Sequence, residues 1–312
     1  MTPAPKQPLD TSVRLAGIVL KNPIIAASGT FGYGIEFEDV VTLERLGGFV
    51  VKGLSREPMP GNPPPRLFET AAGMLNAIGL QNVGVQAFLS EKLPLLRNIK
   101  NIVYFCNVFG HSQDEYEDVV RALNDGEGIH AYELNVSCPN TTHGGLQFGS
   151  DPRSLDEVVT TAKRVSRRPL IVKLSPNVTS IAQMAYVAQE AGADALSLIN
   201  TFVAMAIDPE TRKPRIANVT AGLSGPAIKP IAVRMVYDAA HAVKIPVIGM
   251  GGISTPADVI EFMLAGATAV QIGTASYWDP CATEKIVDGV EAWCKEHRVT
   301  RIADVIGGML LE

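Results

Sequence analysis

The chain has 312 residues, of which 46% are hydrophobic and 19% charged, and its net charge is −5. This length fits one large barrel or two ordinary domains, and the composition excludes a disordered chain. The acidic balance argues against a general nucleic-acid surface, although a phosphate ligand would need only a few backbone amides and one lysine.

Eight short apolar runs are predicted to be strands. Their hydrophobicity is nearly continuous, which is typical of strands buried on both faces. In chain order they are residues 23–28, 48–53, 101–108, 131–137, 169–175, 195–201, 245–252 and 269–275.

Helical patterns separate these runs. Residues 154–167 begin with Ser154 and have Glu157 three positions on, which predicts a capping box. Residues 180–192 end in a glycine, as helices often do, and residues 255–267 have a proline in the first turn.

The alternation of strand and helix predicts an α/β fold, a (β/α)8 TIM barrel with long loops over its C-terminal face, as one domain over residues 1–312. The alternative is an open doubly wound sheet, but no GxGxxG follows the first strand. Residues 54–76, 138–152 and 202–224 exceed ordinary loop lengths. All three follow strand ends, where barrel enzymes carry their sites, so we expect them to be functional.

The four cysteines, Cys106, Cys138, Cys281 and Cys294, show no CxxC spacing, so neither a zinc nor an iron–sulfur site is expected. No signal peptide is visible, and no run of eighteen apolar residues could span a membrane. We therefore expect a cytoplasmic location and no membrane association.

Glycine-rich segments end the last two strands, "GMGGIST" at 249–255 and "QIGTAS" at 271–276. Glycine lets backbone amides approach an anion closely, and the end of the last two strands is the usual phosphate site of such barrels. The two segments together favour a phosphate cradle over simple tight turns.

Two lysines, Lys52 and Lys173, lie at strand ends. A buried lysine there needs an anionic partner or an altered pKa. It could form a Schiff base, supply a fixed positive charge beside a carboxylate or an electron-rich cofactor, or simply extend its ammonium group into solvent.

Four asparagines, Asn76, Asn107, Asn135 and Asn200, lie at strand ends or in the loop that contains "GMLNAIGLQN". An amide offers both a donor and an acceptor, so several aimed at one cavity would suit a flavin or pyrimidine ring. Cys138 follows "YELNVS" in a glycine-rich loop that could close over a substrate, and it is the candidate group for proton transfer.

The motifs "ASGTFGYG", "VVKGLS", "PRLFETAAGMLNAIGLQN", "ELNVSCPN", "VKLSPN", "GLSGPAI", "GMGGI" and "QIGTA" follow one another across residues 26–275. Together they closely resemble the FMN-dependent dihydroorotate dehydrogenases of pyrimidine biosynthesis. Cysteine at position 138 resembles class 1, whereas class 2 enzymes have serine there and a membrane-associating extension. The sequence pattern of "ETAAGMLNAIGLQN" is most like that of class 1B, the NAD-linked catalytic subunit.

This resemblance implies two sets of contacts. The residues that would line FMN are Ser28, Lys52, Gly53, Asn107, Asn135, Lys173, Ile199, Gly225, Gly251, Gly252, Gly273 and Thr274. The residues that would contact the pyrimidine are Lys52, Asn76, Ala77, Ile78, Gly79, Leu80, Asn135, Asn200 and Thr201.

The resemblance also implies individual roles. Lys52 would face the substrate carboxylate, and Lys173 the N1/O2 edge of reduced flavin. Cys138 would take the proton from C5 of dihydroorotate while C6 delivers hydride to flavin N5.

In class 1B, electrons pass through a 2Fe–2S cluster and FAD on a partner subunit to NAD, in a heterotetramer of two catalytic and two electron-transfer chains around a homodimer core. The chain has neither cluster cysteines nor a dinucleotide fingerprint, so the partner would have to carry both. Four alternatives remain: a class 1A fumarate-linked homodimer, a uracil-reducing relative, a flavin-free Schiff-base aldolase that uses Lys173, and a non-enzymatic barrel that serves as a binding partner.

Overall fold

The computed structural model describes residues 8–137 and 148–311, so Cys138 lies outside the described residues. Short strands predominate. In chain order they are β1 (Val13–Leu15), β2 (Ile18–Leu20), β3 (Ile24–Ala26), β4 (Gly48–Leu54), β5 (Leu67–Thr70), β6 (Gly73–Asn76), β7 (Tyr104–Val108), β8 (Ala131–Asn135), β9 (Leu170–Lys173), β10 (Ala195–Leu198), β11 (Phe202–Ala204), β12 (Ile207–Asp208), β13 (Lys213–Pro214), β14 (Ala221–Ser224), β15 (Val247–Met250) and β16 (Ala269–Ile272).

Eight of these strands close into a parallel barrel in the order β3, β4, β7, β8, β9, β10, β15 and β16. Pairing of β16 with β3, with Val270 opposite Ile24, completes the ring. Every residue of β9, β10, β15 and β16 is buried, because side chains fill the barrel on one face and pack against helices on the other. The predicted (β/α)8 barrel and its eight strands are confirmed, and the open-sheet alternative is wrong.

Helices surround the barrel. They are α1 (Val85–Ala87), α2 (Leu93–Leu96), α3 (Gln113–Asn124), α4 (Pro152–Val165), α5 (Ile181–Glu190), α6 (Lys229–Ala242), α7 (Pro256–Leu264), α8 (Ala275–Trp278) and α9 (Ala282–Glu296). A π-helical segment, Phe88–Lys92, joins α1 to α2. Short 3₁₀ turns occur at Ile35–Phe37, Leu43–Arg45, Phe148–Ser150, Pro226–Ile228 and Ile302–Val305.

The start of α4 differs from the prediction. The helix begins at Pro152, and the Asp151 side chain accepts a hydrogen bond from the Ser154 amide. Asp151 is a good cap and proline suits the first helical position, so the chain turns into the helix earlier than expected. Ser154 is buried inside the first turn, so the predicted capping box with Glu157 is wrong.

The helix predicted at 255–267 is α7, and its start fits the sequence pattern. Thr255 caps the helix, Pro256 occupies the first turn, and Thr255 and Asp258 form a reciprocal capping box. This capping fixes the chain that leads out of β15, and that chain is one of the two glycine-rich segments that end the last strands.

Two of the segments predicted to be long loops contain a second sheet. It is antiparallel, has the strand order β11, β14, β6 and β5, and lies outside the closed barrel, so we call it the roof sheet. Gly222 pairs with Asn76 across it. Asn76 is therefore the last residue of a strand, and its prediction as a loop residue is wrong.

Candidate active site

A cavity of about 370 Å³ opens where the barrel strands end. Its wall combines the C-terminal ends of barrel strands with residues of the roof sheet, such as Met74 and Ser224. The volume lies within the range typical of small-molecule sites, and this face of a barrel is where active sites occur.

The cavity brings together every predicted site residue that the structure describes. These are Ser28, Lys52, Gly53, Asn76, Ala77, Ile78, Gly79, Leu80, Asn107, Asn135, Lys173, Ile199, Asn200, Thr201, Gly225, Gly251, Gly252, Gly273 and Thr274. The division of these residues between a cofactor and a substrate stays a prediction. Cys138 is outside the described residues, so its role stays a prediction too.

One end of the cavity is built from glycine backbone. Gly225, Gly251 and Gly252 have φ angles of 94°, 125° and 79°, which side chains rarely tolerate. A Cβ atom on Gly252 would lie 2.8 Å from the carbonyl oxygen of Gly225. The chain at Gly225 and the chain at Gly251 and Gly252 thus approach each other closely and leave a concave wall of main chain. Such a wall suits a phosphate group.

An ion-pair cluster supports this wall from outside. One oxygen of Asp258 accepts from the amides of Ser254 and Thr255 at 2.9 and 2.8 Å, and the other accepts from Lys229 Nζ at 2.7 Å. Lys229 also contacts Glu261 at 2.7 Å. Asp258 therefore ties the turn after β15 to both α6 and α7.

The two cavity lysines have different surroundings. Burial lowers the pKa of Lys52 below its usual 10.5, the charge of Arg66 lowers it further, and Glu36 opposes the change. Lys173 is only 8% exposed and has no ion-pair or hydrogen-bond partner among the described residues. Both ammonium groups are thus available to an anionic or electron-rich ligand.

Amide groups also converge on the cavity. Asn200 Nδ2 donates to Asn135 Oδ1 at 3.1 Å and to Ser137 Oγ at 2.9 Å. Asn76 Nδ2 donates to the Gly222 carbonyl at 3.3 Å across the roof sheet. These bonds fix the rotamers of three asparagines, so their remaining polar atoms can form a set of oriented donors and acceptors.

The loop from Ala77 to Leu80 has a strained backbone that is anchored at its end. Leu80 has a φ of 57°, which is unusual for a residue with a side chain. Buried Asn82 holds the loop by donating to Ser55 Oγ at 2.8 Å and to the Leu80 carbonyl at 2.9 Å. Asn62 Nδ2 adds a bond to the Ala77 carbonyl at 3.0 Å.

Several residues of this site were not predicted. Ser137, Ser224, Gln271, Tyr277 and Trp278 also line the cavity. Three of them could have been found, since Ser137, Ser224 and Gln271 fall inside the motifs "ELNVSCPN", "GLSGPAI" and "QIGTA".

Glu133 was also missed, and it lies just below the cavity. It is fully buried and receives hydrogen bonds from Asn107, Ser197 and Gln271. A charged residue in the middle of an apolar strand is the sequence signal that could have pointed to it.

Comparison with known proteins identifies the family. Residues 10–293 match the family model described as dihydroorotate dehydrogenase. The chain therefore belongs to the dihydroorotate dehydrogenase family, and the predicted resemblance and oxidoreductase class are confirmed.

Two curated relatives are similar over almost their whole length. A protein of Solibacter usitatus named "Putative dihydroorotate dehydrogenase A (fumarate)" is 59% identical over 94% of this chain and 96% of its own. The protein of Pelobacter propionicus named "Dihydroorotate dehydrogenase B (NAD(+)), catalytic subunit" is 53% identical over 96% of this chain and 98% of its own.

A solved structure supports the fold. The crystal structure described as DHODH in complex with ferulenol, from Eimeria tenella, matches with a TM-score of 0.81 and 22% identity. It covers 96% of this chain and 88% of that chain. Separately, no helix in residues 8–137 or 148–311 is long and apolar enough to cross a membrane.

Proposed function

We propose that this chain oxidises dihydroorotate to orotate in pyrimidine biosynthesis, with FMN as its cofactor. The observation that carries the proposal is the cavity at the barrel mouth, which all the described predicted site residues line. The family match and the curated relatives support the same reaction.

The described residues fit FMN. The wall of Gly225, Gly251 and Gly252 would receive the phosphate, because it exposes main chain with no side chains. A Cβ at Gly225 or Gly252 would clash with neighbouring backbone, and a Cβ at Gly251 would clash with the Ala232 side chain. Asn107 and Lys173 would contact the ring from the strand ends. When bound, FMN would supply a two-electron acceptor for the hydride that leaves C6 of dihydroorotate.

The substrate would lie against the amide-rich part of the cavity. Asn76, Asn135 and Asn200 offer donors and acceptors to the carbonyl and N–H groups of the pyrimidine ring. Lys52 would pair with the substrate carboxylate, which would restore the charged form that burial disfavours. The loop from Ala77 to Leu80 would cover the ring edge.

Cys138 would accept the proton from C5 of dihydroorotate as general base. We expect Cys138→Ala to retain FMN but to lose most of its turnover at neutral pH. Cys138→Ser replaces the thiol with a hydroxyl at the same position and serves as the matched variant, for which we expect partial activity at alkaline pH. Undiminished activity of the alanine variant would refute the assignment of the base.

For the electron acceptor, we propose the class 1B arrangement. The Pelobacter propionicus relative is named as a catalytic subunit of an NAD(+) enzyme, which supports a separate partner chain. That partner would carry a 2Fe–2S cluster and FAD, in a cytoplasmic heterotetramer of two catalytic and two electron-transfer chains around a catalytic homodimer. Each catalytic chain would form one domain.

The second candidate is a class 1A enzyme that uses fumarate directly. The similarity to the Solibacter usitatus relative, at 59% identity, favours it. Turnover of dihydroorotate with fumarate by the isolated chain would support class 1A. Reduction of NAD only after addition of an iron–sulfur flavoprotein would support class 1B.

The central test is a visible spectrum of the purified chain before and after anaerobic addition of dihydroorotate. We expect the absorption of oxidised flavin, and we expect it to bleach as the substrate is oxidised. If flavin is present but does not bleach, FMN would stand as the cofactor and dihydroorotate would be refuted as the substrate. Absence of flavin even after reconstitution with FMN would reject the central proposal.

A further inference from the structure

The carboxyl group of Glu133 is fully buried and bonded on both oxygens. Asn107 Nδ2 donates to its Oε1 at 2.7 Å. Ser197 Oγ and Gln271 Nε2 both donate to its Oε2, at 2.9 and 2.5 Å. Each of the four side chains is at most 1% exposed, so water cannot substitute for any of these bonds.

The network controls which atom Asn107 presents to the cavity. Asn107 turns its NH₂ group toward Glu133, because the carboxyl oxygen Oε1 accepts the hydrogen bond from Asn107 Nδ2. Its Oδ1 then lies on the other side, where a Cβ added to Gly53 would come within 2.9 Å of it. Asn107 and Gly53 both line the cavity, and no described residue donates to Oδ1.

We propose that Glu133 is a positioning residue that holds Asn107 with a hydrogen-bond acceptor facing the cavity, and so selects a ligand ring that presents an N–H group there. Flavin carries such an imide N–H group. The inference rests on the proposed function, because it takes FMN to be the ligand that Asn107 contacts.

The two oxygens of Glu133 have different partners, and this makes the proposal testable. In Glu133→Gln, the new amide oxygen can take the place of Oε2 and keep the bonds from Ser197 and Gln271. The new NH₂ group then faces Asn107, whose amide must rotate to accept from it. Asn107 would now present a donor to the cavity, opposite an N–H of the ligand.

The experiment measures the Kd of FMN by the change in flavin fluorescence on binding, with the melting temperature of each variant as a measure of folding. We expect Glu133→Gln to weaken FMN binding by roughly 10- to 100-fold, since one hydrogen bond is replaced by two opposed donors. The double variant Glu133→Gln/Asn107→Asp should recover most of the affinity. In it, the new NH₂ group donates to one oxygen of the carboxylate introduced in place of the Asn107 amide, and the other oxygen of that carboxylate faces the cavity as an acceptor.

A third variant separates the polarity of the new amide from the loss of the carboxyl group. Glu133→Met removes the acceptor oxygens without supplying a donor, so Asn107 can keep its oxygen in the cavity. We therefore expect Glu133→Met to bind FMN more tightly than Glu133→Gln, even if it melts at a lower temperature.

Three results would overturn the inference: wild-type affinity in Glu133→Gln, no recovery in the double variant, or equal affinities of the Gln and Met variants. Failure of the wild-type chain to bind FMN is a different result. It would reject the proposed function, and the inference would fall with it.

Discussion

The two ends of strand β9 each carry a buried or partly buried cation, and the two cations have opposite surroundings. Arg168 precedes the strand at the N-terminal end of the barrel, and Lys173 ends it at the cavity. Arg168 donates five hydrogen bonds, to four backbone carbonyls and to the hydroxyl of Tyr132. Lys173 has no such partner among the described residues.

This contrast distinguishes a structural charge from a functional one. At the N-terminal end, the protein itself supplies every acceptor that the guanidinium group needs, so the charge stabilises the fold. At the C-terminal end, the described part of the chain offers the ammonium group no partner, which leaves it available to a ligand. Barrel enzymes commonly divide stability and function between their two ends in this way.

Lys173→Met gives the largest expected effect. Turnover of dihydroorotate should fall at least about 100-fold, because the positive charge beside the electron-accepting site is lost. The melting temperature should change by no more than about 2 °C, since no described partner is left unsatisfied. Lys295→Met, on the exposed face of α9, is the control for a surface lysine. A large loss of stability in Lys173→Met would contradict the assignment of Lys173 as a functional charge and Arg168 as a structural one.

Arg168→Met should do the reverse. Removal of five hydrogen bonds should lower the free energy of unfolding by about 2–4 kcal/mol, as measured by denaturant titration. The FMN affinity of the folded protein should not change. The side chain of the neighbouring Arg167 makes one 3.4 Å contact among the described residues, to exposed Asp125, so Arg167→Met is the matched control and should be nearly neutral. Equal destabilisation by both variants would argue against a stabilising role for the five hydrogen bonds of Arg168.

The pH dependence of orotate binding tests the second cavity lysine. Because burial lowers the pKa of Lys52 below 10.5, the ammonium group should lose its proton at a lower pH than a free lysine does. Affinity for the anionic orotate should therefore fall as the pH rises, with its onset below pH 10.5. Calorimetric titration across the alkaline range would measure this, and Lys52→Met should remove the dependence. A dependence that persists in that variant would assign it to another group.

Asp258→Ala should give the smallest effect. Burial tends to raise the pKa of Asp258, but bonds from Lys229 and from the turn at Ser254 outweigh it, so the net pKa lies below 3.8. Loss of this cap should cost about 1 kcal/mol of stability and weaken FMN binding only about two- to fivefold. A carboxyl group with a depressed pKa stabilises the fold at pH values above its unfolded pKa. The difference in the free energy of unfolding between Asp258→Ala and the wild type should therefore vanish as the pH falls into the acidic range. An unchanged difference at low pH would contradict this account.

The barrel could be predicted because its signals are local. Each barrel strand lies in a nearly continuous apolar run, and turns and helix starts such as Thr255–Pro256 separate the runs. The start of α4 was misplaced because Asp151 and Ser154 are both acceptable caps, and only packing decides which of them is buried.

The roof sheet and the Glu133 network could not be predicted from local signals. β11 and β14 are three and four residues long, and β14 finds its partner β6 far away along the chain. Glu133 similarly binds Ser197 and Gln271, which lie 64 and 138 positions away. Most of the site residues fell within recognisable motifs, but the contacts that orient them depend on the closed barrel.

The pairing of β6 with β14 also constrains the order of folding during synthesis. Asn76 and Gly222 meet across a separation of 146 residues, so the hairpin of β5 and β6 emerges with one edge unpaired. At typical rates of translation this edge waits on the order of ten seconds for its partner. An exposed strand edge is a template for pairing with another chain, so the nascent hairpin is open to misassembly during this interval. The cavity, whose wall includes β6 and β14, becomes complete only after that partner strand has emerged from the ribosome.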